Sequence, residues 1–274
     1  MANTSNPEIW YPGGPDLADD YPDATTAQLV EMWSDYSHGA EVWPLQGVYG
    51  VYSVPSGPVK AIASIDVCEV LRDTSIAFMQ ATGLEPHRTH DYTSNTWIVG
   101  RTRIYERQVV TDTLRLLMSQ GLVSPVENST SIGSILRSWR QQGIYVAANT
   151  STLPGCESGT IKHTLGRDYP DCFDAIVFPR NYDGKGAVTK ATALDQLAIE
   201  AGLPAQEVPI IHIDDAAHHI RSFLDMKHLF ADVTLYVPEH DGNRGQLDPG
   251  LYYNSPLDAF LAANKHFKDR GVIS

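Results

Sequence analysis

Short apolar runs alternate with amphipathic stretches over most of the chain, and this alternation predicts the fold. The apolar runs suit buried parallel strands, because helices cover both faces of such a sheet. The amphipathic stretches carry apolar side chains three or four residues apart, as helices do. Strands that alternate with helices predict an α/β fold with a doubly wound, parallel, Rossmann-like sheet. The predicted core strands lie at residues 59–66, 144–148, 175–178, 209–213 and 233–237.

The predicted helices lie between and around these strands, at residues 25–36, 67–81, 105–120, 131–142, 192–201, 216–224 and 256–268. Residues 47–54 alternate as a further strand does. No apolar run approaches the ~20 residues that a membrane helix needs, so we expect no membrane partner. Because no signal sequence opens the chain, we expect a cytoplasmic protein.

The segment between the first two core strands is too long for a simple crossover, and it predicts an inserted helical cap at 72–130. The predicted core then comprises 59–71 and 131–274. Residues 1–58 form an N-terminal arm and decoration, whose first part is rich in Pro, Gly and Asp and is expected to wrap over a surface.

The charge balance limits the partners of the protein. Asp and Glu number 33 against 20 Lys and Arg, a formal net charge of −13. Bulk charge therefore argues against nucleic acid or an anionic membrane as a partner. A phosphate ligand would need local positive charge to offset this repulsion, such as a divalent cation or a well-placed lysine. The three cysteines are too few for a disulfide framework or a zinc ribbon.

Polar side chains follow the predicted strands at their carboxyl ends, where open α/β sheets bind ligands. Each has a structural explanation when taken alone, as a helix cap, a solvated charge or an acidic first turn of a helix. Together, and in this order along the chain, they indicate a site. They are Asp66, then Asn149, Thr150 and Ser151, then Lys190, and then Asp214 and Asp215.

With these residues the chain resembles the haloacid dehalogenase-like (HAD) superfamily. The stretch KATALDQLAIEAGLPAQEVPIIHIDD, residues 190–215, resembles the unit of lysine, helix, strand and acidic pair in that family. The stretch IDVCEVLRDTSIAFMQ, residues 65–80, resembles the opening of its nucleotidase-like members. The resemblance covers residues 59 to about 237 and implies a phosphatase with a cap that selects the substrate.

The resemblance implies a Mg²⁺-dependent phosphoester hydrolase. Asp66 would attack phosphorus and form an aspartyl-phosphate. Mg²⁺ would be held by the Asp66 carboxylate, the backbone carbonyl of Cys68, and Asp214 or Asp215, since this ion prefers oxygen ligands. In the same pattern, two further residues would hold the phosphoryl oxygens: Thr150 and Lys190.

The implied substrate is a small phosphorylated metabolite, with a nucleotide as the first expectation. Asn149, Ser151 and Cys68 are assigned to substrate binding. Tyr92 and Trp97 in the predicted cap could stack on a base or sugar, although core packing explains such aromatic residues more often. The sequence leaves the oligomeric state open, and a homo-oligomer is compatible with it.

One departure from the family pattern concerns Cys68, which stands where phosphatases of the superfamily usually carry a second Asp as general acid and base. A thiol with a pKa of ~8.5 replaces a carboxylic acid poorly, and general acid–base help typically contributes ~10²–10⁴-fold. Val70 likewise replaces a helical Thr common in the family. The alternative is therefore a catalytically reduced, HAD-like binding protein that keeps the phosphate and metal pocket.

Two other branches of the superfamily were weighed. Phosphonate-cleaving relatives use a cap lysine, and residues 72–140 contain none. The dehalogenase branch usually has Tyr at the position of Cys68, and its halide-binding residues cannot be located here, so it stays a weak alternative. Four histidines around the acidic pair lack a zinc-binding motif and are predicted to be solvated or at helix ends: His212, His218, His219 and His228.

Overall fold

The computed structural model describes residues 24–37, 41–83, 89–91, 96–99, 102–105, 107–179, 188–240 and 242–274. The strands of these residues, in chain order, are β1 (Val42–Pro44), β2 (Tyr49–Ser53), β3 (Ala61–Ile65), β4 (Thr89–Asp91), β5 (Thr96–Val99), β6 (Thr102–Tyr105), β7 (Ile144–Asn149), β8 (Ala175–Phe178), β9 (Pro209–Ile213), β10 (Asp232–Pro238) and β11 (Tyr252–Tyr253). The predicted arm at residues 1–22 lies outside the described residues.

The helices are α1 (Thr26–Ser34), α2 (Thr74–Thr82), α3 (Arg107–Ser119), α4 (Ser129–Gln141), α5 (Glu157–Gly159, continued by a π-helix at Thr160–Asp168), α6 (Lys190–Ala201), α7 (Ala217–Asp225) and α8 (Pro256–Asp269). Two 3₁₀ turns lie at Lys227–Leu229 and Pro249–Leu251. Within the described ranges, no helix has both the length and the apolar character needed to cross a membrane.

Eight strands form the main sheet, in the order β1-β2-β8-β7-β3-β9-β10-β11. Neighbours from β8 to β11 run parallel, whereas β1 and β2 form an antiparallel extension at one edge. From β3 the chain builds outward through β7 and β8 in one direction and through β9 and β10 in the other. The predicted doubly wound parallel sheet is therefore confirmed, and its ligand-binding crevice is expected beside the carboxyl end of β3.

The central strands are buried along their whole length. Every residue of β3 (AIASI) and of β7 (IYVAAN) is buried, because helices cover the sheet on both faces. One apolar layer includes Trp139, Phe260 and Phe267 from α4 and α8. The opposite layer includes Leu194 from α6 and Phe223 from α7. The near-continuous apolar runs that predicted these strands thus reflect burial on both sides.

The segment between β3 and β7 contains more than helices. Besides α2 and α3 it holds a three-stranded antiparallel sheet in the order β4-β5-β6. We predicted a helical cap, and the strands went unrecognised because three or four residues are too few to show alternation. Trp97 lies in β5, and Tyr92 lies outside the described residues. The domain boundaries at residues 58, 71 and 130 stay a prediction.

The contact between α4 and α8 provides a test of the packing. Trp139 is fully buried, its ring lies edge-on to Phe267 at a centroid distance of 5.3 Å, and its Nε1 donates to Asn264 Oδ1 at 2.9 Å. We expect Trp139→Ala to lower the free energy of unfolding by about 3–5 kcal/mol, because it leaves a large cavity. Leu261→Ala, on the exposed side of α8, should cost less than about 1 kcal/mol. Urea denaturation measures both, and equal losses would contradict this packing.

Candidate active site

Three buried carboxylates converge at the carboxyl edge of the sheet. One oxygen from each of Asp66, Asp214 and Asp215 lies within 4.8 Å of the others. Their exposed fractions are 5%, 0% and 2%. The strand register explains why these carboxylates lie close together, because Ile65 of β3 pairs with Ile213 of the neighbouring parallel strand β9. The residues that follow β3 and β9 therefore leave the sheet side by side, as the sequence predicted.

Lys190 lies between two of these carboxylates. It is fully buried as the first residue of α6, and its Nζ lies 2.7 Å from Asp66 Oδ1 and 2.5 Å from Asp214 Oδ2. A capping box formed by Thr189 and Thr192 fixes the start of the helix. A buried ammonium is tolerated only when it is paired, so Lys190 and its two carboxylate partners form one unit.

The three carboxyl groups of this site have one buried ammonium, that of Lys190, to balance their charge. This imbalance shifts the pKa values of the group. Burial raises the pKa of Asp66 to about 8 although Lys190 opposes the shift, and the like charges of Asp214 and Asp215 add to it. Burial also disfavours ionised Asp214, but Lys190 and nearby His219 outweigh burial and lower the pKa. For Lys190, the two carboxylates outweigh burial and raise the pKa. Lys190 and Asp214 are thus ionised at neutral pH, whereas Asp66 keeps its proton.

The donor set fits a hard divalent cation. Carboxylate oxygens are the ligands that Mg²⁺ prefers in proteins, and three of them lie close enough to share one ion. Both oxygens of Asp214 already have protein donors, from Lys190 and the Ala216 N–H. In the described part of the chain, the hydrogen bonds of the Asp215 carboxylate involve Oδ2 only, with His240 at 2.9 Å. Asp215 is therefore the better placed of the pair to bind a cation.

His212 is a site residue that the sequence analysis misplaced. We predicted a solvated or helix-end histidine, but His212 is fully buried in β9. Its Nε2 lies 3.1 Å from Asp214 Oδ2, its Nδ1 lies 3.0 Å from Ser64 Oγ, and its ring stacks on Phe223. Burial lowers the pKa of His212 despite Asp214, so a neutral imidazole orients this carboxylate. The sequence signal that could have identified this buried position is a single histidine within the apolar run PIIHI, two residues before Asp214.

The other three histidines are less buried. His218 and His228 are exposed, as predicted, and His219 is half-buried at the start of α7. His240, which was not singled out from the sequence, is the partner of Asp215. A zinc site is not needed to explain any of these positions.

The three polar residues at the end of β7 differ in burial and in their hydrogen-bond partners. Thr150 is fully buried, its N–H donates to Val177 O, and its Oγ1 lies 3.3 Å from Thr152 Oγ1. The Asn149 Nδ2 donates to the backbone oxygen of Lys190 at 2.8 Å, which ties β7 to the start of α6. Ser151 is exposed and lies outside this buried network. Binding roles for Ser151, Tyr92 and Trp97 remain predictions.

The loop after β3 holds Cys68 beside two residues that the sequence analysis did not single out. Glu69 adopts a left-handed φ of 58°, and its Oε1 accepts from the Ser75 N–H at 2.8 Å, so it caps α2. Burial, aided by Asp215, raises the pKa of Glu69 to about 7. Cys68 is half-buried and accepts a contact of 3.4 Å from Arg72 Nη2. Burial raises the pKa of its thiol even though Arg72 opposes this, so the thiol is neutral.

The pKa of Asp66 predicts how stability depends on pH in the presence of a chelator. The folded protein keeps a proton up to about pH 8, whereas an unfolded Asp releases it near pH ~4. The free energy of unfolding should therefore fall as pH rises between these values, on the order of 1 kcal/mol per unit from this group. We expect Asp66→Asn to reduce this slope in urea denaturation at pH 5.5, 6.5 and 7.5, and the part of the slope that comes from Glu69 should remain.

A matched control for this experiment is Asp225→Asn, because Asp225 is exposed at the end of α7. Its slope should equal that of the wild type. If Asp66→Asn also left the slope unchanged, Asp66 would not be the group that holds the proton.

Comparisons with known proteins were made by sequence and by structure. No family model matches the chain, and no curated protein matches it. CbbY from Rhodobacter sphaeroides in complex with phosphate is 15% identical, with 72% of this chain and 95% of that chain covered and a TM-score of 0.45. A protein assigned as a beta-phosphoglucomutase from Bacteroides vulgatus is 16% identical, with coverage of 91% and 100% and a TM-score of 0.47. A dehalogenase is 12% identical, with coverage of 76% and 98% and a TM-score of 0.43.

Similarity at this level adds nothing to what the strand order and the site geometry show by themselves. An Asp follows the central strand β3, a Thr follows β7, a Lys begins α6 and an acidic pair follows β9. The long insertion falls between β3 and β7. In strand order and in the place of its insertion, the described part of the chain has a doubly wound, Rossmann-like α/β fold.

Proposed function

We propose that this protein is a Mg²⁺-dependent phosphoester hydrolase that acts on a small phosphorylated metabolite through Asp66. The observation that carries the proposal is the buried unit of three carboxylates around one lysine. Such a unit holds too little positive charge to ionise fully at neutral pH. A divalent cation would supply the missing charge, and a phosphate could then enter an acidic protein.

The metal role follows from the donor set. Mg²⁺, when bound, supplies positive charge that ionises Asp66 and offsets the charge of the phosphoryl oxygens. Asp66, the backbone carbonyl of Cys68 and Asp215 would hold the ion. The ion pair of Lys190 with Asp214 would keep the lysine in place beside the nucleophile.

The chemical step is a displacement at phosphorus. Asp66 Oδ attacks the phosphorus atom, the ester oxygen leaves with the electron pair of the P–O bond, and an aspartyl-phosphate forms. Water then attacks this intermediate, which releases inorganic phosphate and restores the Asp66 carboxylate. Lys190 and Thr150 would neutralise and donate to the phosphoryl oxygens during both displacements.

The substrate class is inferred from the aromatic residues of the insertion. A nucleotide is the first expectation, because Trp97 and Tyr92 belong to the insertion that would form the cap, and aromatic rings stack on bases. Sugar phosphates are the main competitors. The panel of substrates below distinguishes these classes.

The state of Cys68 favours one alternative, a catalytically reduced protein that binds a phosphorylated ligand without turning it over. The neutral thiol of Cys68 is held beside Arg72, and a weakly acidic thiol protonates a leaving oxygen poorly. The neighbouring carboxylate of Glu69 is engaged at the start of α2. In this alternative the metal and phosphate pocket persists and the proton donor is lost.

The test is phosphate release from nucleotides and sugar phosphates by wild type, Asp66→Asn and Cys68→Asp, with and without Mg²⁺. We expect Mg²⁺-dependent release by the wild type, a loss of at least about 10³-fold in Asp66→Asn, and a gain of up to ~10²–10⁴-fold in Cys68→Asp. The exposed Asp225→Asn variant is the control and should match the wild type. Turnover that survives in Asp66→Asn would contradict the assigned nucleophile.

A silent wild type together with an active Cys68→Asp variant would select the binding-protein alternative. Silence from all variants over the whole panel would reject hydrolysis for these substrates.

A further inference from the structure

Arg72 is a buried cation whose contacts are with hydroxyl and sulfur atoms. Its exposed fraction is 1%. In the described part of the chain, its guanidinium hydrogen bonds reach three threonine hydroxyls, one thiol and one thioether, and its Nε has no partner. The partners are Thr152 at 3.0 Å, Thr160 at 3.2 Å, Thr164 at 3.3 Å, and Cys68 and Met118 at 3.4 Å each.

Packing alone does not explain such a residue. Burying a guanidinium among neutral groups is unfavourable, and a buried donor without a partner adds to the cost. An apolar side chain of similar size would be the more stable choice, and departures of this kind are expected at functional sites. The hydrogen bonds of Arg72 lead through Thr152 to Thr150, a residue of the proposed site. Which group donates in each of these bonds therefore affects the hydroxyl of Thr150.

The guanidinium fixes the direction of the hydrogen bonds, because it can only donate. Thr152 Oγ1 accepts from Arg72 Nη2, so the hydroxyl proton of Thr152 must be donated elsewhere. Two oxygens are within reach, Thr150 Oγ1 at 3.3 Å and Thr160 Oγ1 at 3.4 Å. Both distances are long for a hydroxyl pair, so the two acceptors compete on nearly equal terms.

The direction matters for Thr150. When Thr152 donates to Thr150 Oγ1, the proton of Thr150 is released from this contact and can be donated to an anionic oxygen. Without Arg72, Thr152 could equally accept from Thr150, and that proton would then point away from the ligand. The positively charged donor Arg72 occupies one of the two lone pairs of Thr152 Oγ1 and makes this oxygen a poorer acceptor for Thr150, so it disfavours this second arrangement.

We propose that Arg72 is a positioning residue that acts through Thr152, so that Thr150 presents its hydroxyl proton to a phosphoryl oxygen. This inference rests on the proposed function, in which Thr150 contacts the phosphoryl group. It assigns a role to two residues, Arg72 and Thr152, that the catalytic scheme above does not use.

The helix that follows shows how the guanidinium is held. Thr160 and Thr164 lie four residues apart in the π-helical part of α5, and both hydroxyls accept from Arg72 Nη1. Thr160 gives its own proton to Cys156 O at 2.8 Å. These contacts leave Nη2 to face Thr152. In the described part of the chain, no hydrogen bond joins Thr164 to Thr150 or Thr152, which makes Thr164 a control for the experiment.

The test is isothermal titration of inorganic phosphate into the protein with saturating Mg²⁺. Thr150→Val and Thr152→Val should each weaken phosphate binding by about 5- to 10-fold, the range expected for one hydrogen bond. Thr152→Ser, which keeps the hydroxyl, should bind within about twofold of wild type. The control Thr164→Val also removes one hydroxyl from Arg72 but leaves the chain to Thr150 intact, and it too should stay within about twofold.

The double variant separates positioning from a general loss of structure. If Thr152 acts only through Thr150, then Thr150→Val with Thr152→Val should bind phosphate no more weakly than Thr150→Val alone. Arg72→Met, which keeps an unbranched apolar stem but cannot donate, should weaken binding by about as much as Thr152→Val. If Arg72→Met fails to fold, the Thr152 variants decide the question.

Three results would overturn the proposal. Unchanged binding by Thr152→Val, or additive losses in the double variant, would reject the positioning role while the proposed function stands. A loss in Thr164→Val equal to that in Thr152→Val would show that Arg72 supports only the local structure. No phosphate binding by the wild type would reject the proposed function as well, because both proposals need a phosphate pocket.

Discussion

The contacts of the buried Lys190 ammonium with two carboxyl groups are the interaction on which the rest of the site depends. The fully buried ammonium of Lys190 contacts both Asp66, which follows the central strand β3, and Asp214, which follows the neighbouring strand β9. Removing Asp214 would leave the buried ammonium without its ionised partner, which is strongly destabilising. The unit therefore constrains the carboxyl ends of β3 and β9 and the first turn of α6 at the same time.

The polar groups around Lys190, Asp66 and Asp214 hold these three residues in place. His212 contacts Asp214 from within β9, and Asn149 contacts the backbone of Lys190 from the end of β7. On the other side of Asp66, the loop after β3 is closed by a hydrogen bond from the Glu69 N–H to Arg72 O. Asp66 thus contacts the charged network of Lys190 directly, and the loop that follows Asp66 leads to the Arg72 network.

Much of the fold and half of the site could be predicted from the sequence, for a physical reason. Asp66 and the acidic pair lie directly at the ends of apolar runs, so locating the strands also locates these residues, and Lys190 opens an amphipathic helix. The chain gives no such signal for contacts between distant segments. His212 lies inside an apolar strand. Arg72 lies in residues 67–73, which the periodicity predicts as helix but which precede α2 in the structure, and it contacts hydroxyls 80 and more residues away. The small sheet of the insertion was missed because its strands are too short to alternate.

The most direct test of the account is a calorimetric titration of Mg²⁺ at pH 7, in buffers of different ionisation enthalpy. If the carboxylate unit is the cation site, wild type should bind one ion and release close to one proton, because Asp66 must ionise. Asp215→Asn should bind more weakly, and Asp66→Asn should release no proton. Absence of binding, or binding that neither substitution alters, would contradict the assignment of this site to a divalent cation.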